Sequence, residues 1–258
     1  MNTQDNKKCY EIADNWDTFR MDEHLQSKID LIEAMIPSDV TSILDVGCGN
    51  GLITNPLGRR FAIRGLDRSF AALQYVDVPK INGQADALPL SSSSVDLILS
   101  SEMLEHLDDS LLRAAIQEMQ RVASKYLIIS VPNNELLAKN AMKCPRCSTV
   151  FNVSYHFQSY TRQRLEKLFS EFHCLKIAEV GKPWRRYIPF LLKIRQELGH
   201  GWFPIPPRRI VMCPNCENTQ FPKFKMNPII FLCEGMNKLL TRRRPNWLVA
   251  LYQRKSRM

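Results

Sequence analysis

Four groups of residues in this 258-residue chain have types and spacings that can do chemistry. Gly47, Gly49 and Gly51 alternate behind the apolar run 43–46, the pattern of a buried strand entering a loop whose bare backbone lets a ligand approach closely. Asp67 closes the next apolar run, where a carboxylate can accept hydrogen bonds from paired ribose hydroxyls, and Asp86, followed by Ala87, ends a third strand, well placed for an adenine amino group. Glu102, Glu105 and His106 stand at i, i+3 and i+4, which on a helix turns two carboxylates and an imidazole to one face, with His156 as a later fourth group. Such a set suits a magnesium or manganese ion that acidifies a bound hydroxyl. The plainer account is a pair of acids favoured by a helix dipole beside a structural or acid/base histidine. Finally, Cys144-Pro-Arg-Cys147 and Cys213-Pro-Asn-Cys216 have the knuckle spacing of a closed four-thiolate zinc site, whose role is structural. Their alternative is four buried cysteines, the ordinary packing expected for Cys9, Cys48, Cys174 and Cys233.

The elements that must position these groups follow from apolar patterning. Helical spacing over residues 10–36 leads to Pro37, and strands are expected at 43–46, 61–67, 81–84, 94–100 and 126–131. Helices are expected to begin at 52–57 and to cover 70–76, the Glu102 to His106 stretch, 111–122 and 161–172. The strand runs are continuously apolar and do not alternate, which predicts a mostly parallel sheet covered on both faces by helices, an α/β architecture. A strand at 175–180 has its natural partner at 247–252, so residues 183–245, with helices over 187–198 and 228–240, form a long insertion. The expected organisation is a helical cap at 1–38, a core at 39–182 carrying the knuckle 144–147, the basic insertion 183–245 with the knuckle 213–216, and a final strand and tail at 246–258.

Composition narrows the setting. No run approaches the roughly 18 apolar residues of a membrane span, and the polar start lacks a leader-like apolar segment, so a soluble cytoplasmic protein is expected. The net charge of +9 is concentrated in residues 182–258, which hold 16 Lys/Arg and 3 Asp/Glu against 19 and 23 in the rest. A basic third on a mildly acidic body favours an anionic acceptor, RNA or a peripheral anionic membrane surface as neighbour, with a solvated basic face as the bland reading. Trp184, Arg185, Arg186, Tyr187, Trp202, Arg208 and Arg209 are the candidate acceptor contacts there.

Taken in order, Leu44-Asp-Val-Gly-Cys-Gly-Asn-Gly51, Gly65-Leu-Asp67, Asp86-Ala-Leu-Pro-Leu90 and Val95-Asp-Leu-Ile-Leu99 resemble the motifs of the class I S-adenosylmethionine (SAM)-dependent methyltransferases over about residues 40–180 and the last strand. The Gly-x-Gly-x-Gly spacing departs from the dinucleotide fingerprint, which makes NAD a poor rival. The resemblance implies a Rossmann-like, seven-stranded, mostly parallel sheet with zinc-stabilised insertions. It also implies a SAM site built from Asp45, Gly47, Cys48, Gly49, Gly51, Asp67, Arg68, Asp86, Ala87 and Ser101. Asp45 is expected to orient the loop or meet the methionine amino group. The Glu102, Glu105, His106 and later His156 pattern looks like that of metal-dependent O-methyltransferases of ubiquinone biosynthesis and of small-RNA 3′ ends, which makes these four the candidate catalytic residues. Methylation of an oxygen on a small, sugar- or lipid-linked metabolite is the leading expectation. An RNA methyltransferase and a non-catalytic zinc-dependent binding protein are its rivals.

Overall fold

The computed structural model describes residues 7–205 and 209–256. Short helices α1 (Lys7–Tyr10) and α2 (Ala13–Trp16) precede α3 (Glu23–Met35), which starts on Asp22, whose carboxylate accepts from the Leu25 amide. Strand and helix then alternate through β1 (Ile43–Val46), α4 (Thr54–Leu57), β2 (Ile63–Asp67), α5 (Phe70–Leu73), β3 (Lys80–Asn82), β4 (Val95–Ser101), α6 (Asp109–Val122) and β5 (Ala123–Pro132). A hairpin of β6 (Ala141–Lys143) and β7 (Val150–Asn152) follows, then α7 (Arg162–Glu166), β8 (Phe172–Arg185), α8 (Pro189–Glu197), α9 (Pro228–Leu240) and β9 (Arg243–Arg254). No described helix is long and apolar enough to cross a membrane.

The main sheet has seven strands in the order β3-β2-β1-β4-β5-β9-β8. Strands β1 to β5 are parallel, and β9 runs antiparallel to both β5 and β8. The apolar runs are explained by burial on both sides. Along β4, Leu97 and Leu99 face a core completed by Ile29, Ile32 and Met35 of α3, while Ile98 faces the core beneath Leu112, Met119 and Val122 of α6. Successive residues of a strand point to opposite faces, so a strand covered twice must be apolar at every position. The expected pairing of 175–180 with 247–252 is present as Ile177 opposite Ala250 and Val180 opposite Trp247.

Two expectations fail. Glu102 takes a positive φ of 56° and Leu104–His106 makes a single 3₁₀ turn, so the stretch is not the helix that i, i+3, i+4 spacing suggests. Leaving β4, the chain bends at once: the Glu102 amide is bonded to the Ser130 carbonyl of β5. Asp86 also lies beyond its strand, because β3 stops at Asn82 and residues 84–87 form a small turn closed by a Gln84–Ala87 bridge.

A third, smaller core gathers Cys9, Met142, Cys144, Phe151, Val153, Val211 and Cys213, joining α1, the β6–β7 hairpin and the 211–213 segment away from the sheet. The α8–α9 pair is fastened separately. Buried Asn237 accepts from the Ile188 amide at 2.9 Å and donates to the Arg186 carbonyl at 3.1 Å. Asn237→Ala leaves both backbone groups unsatisfied, at about 1–3 kcal/mol. Amide exchange should quicken across α9 and leave β4 and β5 unchanged.

Candidate active site

The glycine loop is shaped by three positive φ angles, 78° at Gly47, 53° at Gly49 and 77° at Gly51. At Gly47 a β-carbon would also meet the Met103 side chain at 2.3 Å, so glycine is required there by space as well as by conformation. The loop is held from β2: the Gly47 and Cys48 amides donate to the Leu66 carbonyl at 2.7 and 3.1 Å. Asp67 accepts from the Gly49 amide on one oxygen and from the Ser69 amide on the other, both at 2.8 Å. Its carboxylate thus sets the loop while still lining the cavity. Asp45 is fully enclosed; Thr54 donates to one oxygen at 2.6 Å, and the other has no partner. Burial pushes its carboxyl up to about 7, offset only in part by the Thr54 hydrogen bond and Lys28, and a ligand ammonium at the open oxygen would favour the carboxylate.

The opposite wall contains a cluster assembled from distant segments. The Glu105 carbonyl accepts from the Phe157 and Gln158 amides at 2.7 and 3.1 Å, which brings His156 against His106 with ring centroids 4.6 Å apart. His156 Nδ1 meets the buried Glu135 carboxylate at 2.5 Å, and Asn140 donates to that carboxylate's other oxygen at 2.7 Å. A carboxylate on Nδ1 fixes the tautomer and leaves Nε2 as the free lone pair. His106 Nδ1 is bonded to the Tyr10 hydroxyl at 2.6 Å. Burial, then the neighbouring His156, holds the His106 pKa well below its ordinary value, so the ring is neutral near pH 7. Glu105 is fully buried with neither carboxylate oxygen hydrogen-bonded, and burial followed by Glu102 raises its pKa strongly. Ligand atoms of Glu105, His106 and His156 lie within 4.8 Å of one another, an arrangement that fits a divalent cation.

Glu102 does not belong to that set. It accepts from the Trp247 indole at 2.8 Å and pairs with Lys28 at 3.4 Å. Lys28 is only 1% exposed and stands 3.9 Å above the Trp247 ring and 3.3 Å from Ser101 Oγ. Burial lowers its pKa, with Glu102 and Glu105 pulling the other way.

Both walls enclose one cavity of about 510 Å³, within the range of small-molecule sites. Of the residues expected to bind cofactor, Asp45, Gly47, Cys48, Gly49, Asp67, Arg68, Asp86 and Ser101 line it, whereas Gly51 and Ala87 do not. Gly51 shapes the loop from behind, its amide bonded to the Cys48 carbonyl. Of the expected acceptor contacts, Arg209 lines the cavity, half-buried beside Ser154. Trp184, Arg185, Arg186, Tyr187 and Trp202 do not, and Arg208 lies outside the described residues. The sequence reading missed Tyr10, Lys28, Glu135 and Asn140. Lys28 carried a signal, because it adjoins the Ile29, Ile32, Met35 stripe of α3. Tyr10 and Trp16 close the cavity from above, and the Asn15 side chain ties this cover to the Ile210 backbone through two hydrogen bonds.

The four cysteines meet as expected. Cys144 and Cys216 Sγ atoms are 3.6 Å apart, as are those of Cys147 and Cys213. A tetrahedron with metal–sulfur bonds of about 2.3 Å has edges of about 3.8 Å. The two knuckles repeat one backbone: Cys144 and Cys213 each accept from the amide four residues on and donate to the carbonyl five residues on, with positive φ at Ser148 and Glu217. Hydrogen bonding with the Thr149 and Asn215 side chains brings the Cys147 thiol down to about 5, while burial pushes Cys213 up to about 12. A bound divalent metal would make all four thiolates.

Residues 44–128 match the family model described as a methyltransferase domain. Curated relatives include a ubiquinone biosynthesis O-methyltransferase of Bartonella tribocorum, 35% identical over 89 residues, which are 30% of this chain and 35% of that protein. A Brucella anthropi protein of the same name is 29% identical over 106 residues, covering 37% of this chain and 43% of its own. The chain therefore spans well under half the length of these relatives. Among solved structures, a chain of the complex between the Haloferax volcanii Trm112 methyltransferase activator and a methyltransferase matches over 98% of both chains (TM-score 0.58, 12% identity). Magnesium protoporphyrin IX methyltransferase of Synechocystis PCC 6803 with bound S-adenosylhomocysteine matches over 68% of this chain and 92% of its own (TM-score 0.53, 16% identity). The fold is the Rossmann-like fold of the class I SAM-dependent methyltransferases.

Gly47→Ala combines a strained φ with a clash against Met103, so it should cost about 1–3 kcal/mol. Urea unfolding followed by tryptophan fluorescence measures this directly.

Proposed function

We propose that this chain, through the methyltransferase domain at 44–128, binds SAM and transfers its methyl group to an oxygen of a small, sugar- or lipid-linked acceptor that carries an anionic group. The observation that supports this reading is the single cavity running from the glycine loop to the His106–His156 pair and Arg209. SAM, when bound, supplies a methyl already activated by its sulfonium. The protein's task is then to align a nucleophile and to take its proton.

Asp67 and Asp86 are positioned to meet the ribose hydroxyls and the adenine, and Asp45 Oδ1, the atom without a partner, the methionine ammonium. Lys28 lies at the same end of the cavity and is suited to the methionine carboxylate. On the acceptor side, His156 Nε2 takes the proton from the hydroxyl, and Glu135 stabilises the imidazolium that results. Arg209, which has no carboxylate partner among the described residues, pairs with the acceptor's anion. Oxygen as the acceptor atom is supported by the names of the curated relatives.

A second reading is favoured by the two unpartnered oxygens of Glu105. Glu105, His106 and His156 would hold magnesium or manganese, which lowers the pKa of a coordinated hydroxyl. The four cysteines would hold a structural zinc that keeps Ser154 to His156 and Arg209 in the cavity wall.

Calorimetry is expected to show SAM binding that weakens at least about tenfold in Asp67→Ala, the loss of a charge-assisted hydrogen bond. Absence of SAM binding by the parent chain would end the proposal. Glu135→Gln should lower kcat with little change in the dissociation constant for SAM. Activity unaffected by excess EDTA would leave the base reading, whereas loss restored by magnesium or manganese would establish the metal. Because burial depresses the His106 pKa, protonation of that ring should enter the pH–rate profile below pH 6.5. Elemental analysis should find zinc in the parent chain and none in Cys213→Ser, with turnover falling more than SAM affinity.

A further inference from the structure

From the α8–α9 hairpin, we infer that this chain docks on an anionic lipid bilayer, with α9 lying in the plane of the headgroups. The inference stands apart from the acceptor reading, because it rests on a surface remote from the glycine loop in sequence and made of different residues. Helix α9 packs on the body through Ile230, Cys233 and Asn237, which share one face. Its opposite face is not polar. Phe231 is 72% exposed, Leu232 62% and Leu239 85%, with Leu240 beside them. Phe190 and Leu198, at the two ends of α8, extend the same apolar character.

A helix on the surface of a protein in water normally turns charge outward, and an apolar face left uncovered marks an interaction site. Of the thirteen residues of α9 only Glu234 and Lys238 are charged, and Glu234 is already paired with the Arg195 guanidinium at 3.1 Å. The charges that flank the helix are of one sign. Exposed Lys223 and Lys225 precede it, and exposed Arg242, Arg243 and Arg244 follow. Apolar side chains between two basic clusters suit a layer whose surface is negative and whose interior is hydrocarbon.

The charge pattern selects this occupant over two others. A second copy of the chain seated on the same face would bring like basic clusters towards each other. A nucleic acid would use the basic residues and leave Phe231, Leu232 and Leu239 in water. At about 1.5 Å per residue α9 is about 20 Å long, too short to span a bilayer and long enough to lie on one.

The test is sedimentation of the 258-residue chain with phosphatidylcholine vesicles, with and without phosphatidylglycerol, in the absence of cofactor. Binding is expected only where phosphatidylglycerol is present, and it should weaken as salt is raised. The pair Leu232→Glu and Leu239→Glu should lower the partition coefficient at least about tenfold, and so should the triple change Arg242→Gln, Arg243→Gln and Arg244→Gln. Circular dichroism and thermal melting confirm that each variant is folded; the arginine variant leaves the apolar face intact should the leucine variant fail to fold. No binding of the parent chain to anionic vesicles, or equal binding by parent and folded variants, overturns the proposal. So does a parent chain that ignores vesicles but runs as a dimer dispersed by the leucine changes, since a second copy is then the cover. Because no arm uses SAM, failure here and failure of the methyltransferase reading are separate results.

Discussion

The Glu105 main-chain carbonyl is the point on which the two halves of the site depend. It lies in the turn after β4 and accepts the amides of Phe157 and Gln158, residues that follow the cysteine-bearing hairpin. Neither the sheet nor the small cysteine core alone brings the two histidines together. Joined by these bonds, a histidine from each comes into ring contact, and a buried carboxylate with two open oxygens stands beside them. A backbone carbonyl serves well here, because its position is fixed by the turn itself and pays no side-chain entropy.

The same junction sets the electrostatics. Glu102, Glu105, Lys28 and Asp45 crowd the carboxyl end of the central strands, and burial drives both Glu105 and Asp45 towards their neutral forms. Lys28 is an interior cation drawn into this group, and it is shared between Glu102, Ser101 and the face of Trp247. Trp247 belongs to β9, whose partner β8 carries the chain out of the sheet into the α8–α9 excursion. The cavity and the outlying hairpin thus meet at one strand pair.

Much of this was legible in the sequence, for definite reasons. Continuous apolar runs at 43–46, 95–99 and 126–131 report two-sided burial, which only a covered parallel sheet provides, and α9 was legible to its end residues from Pro228 and the apolar stretch after it. Cys-x-x-Cys spacing is a local property, and the matching knuckle backbones express it. What escaped was set by tertiary contact. Spacing alone suggested a helix at Glu102 to His106, but the Ser130 carbonyl captures the Glu102 amide and turns the chain at a positive φ. Tyr10, Glu135 and Asn140 carry no motif: Tyr10 meets His106 from the far N-terminal side, Glu135 meets His156 across the hairpin, and Asn140 supports Glu135. Charge density marks a segment and not a position: of the described candidate arginines Arg209 lines the cavity, and Arg185 and Arg186 do not.

The excursion between β8 and β9 begins and ends side by side, with Arg185 directly opposite Arg243 in the sheet. A chain segment whose two ends are already clamped together at hydrogen-bonding distance can vary in length without disturbing the strands that hold it. Lengthening it adds only slowly to the closure entropy, and shortening it leaves the register of the strands untouched. Such an anchorage amounts to a socket for the α8–α9 surface, which can be rebuilt while Arg209, Cys213 and Cys216, in the same excursion, stay with the cavity wall and the cysteine cluster.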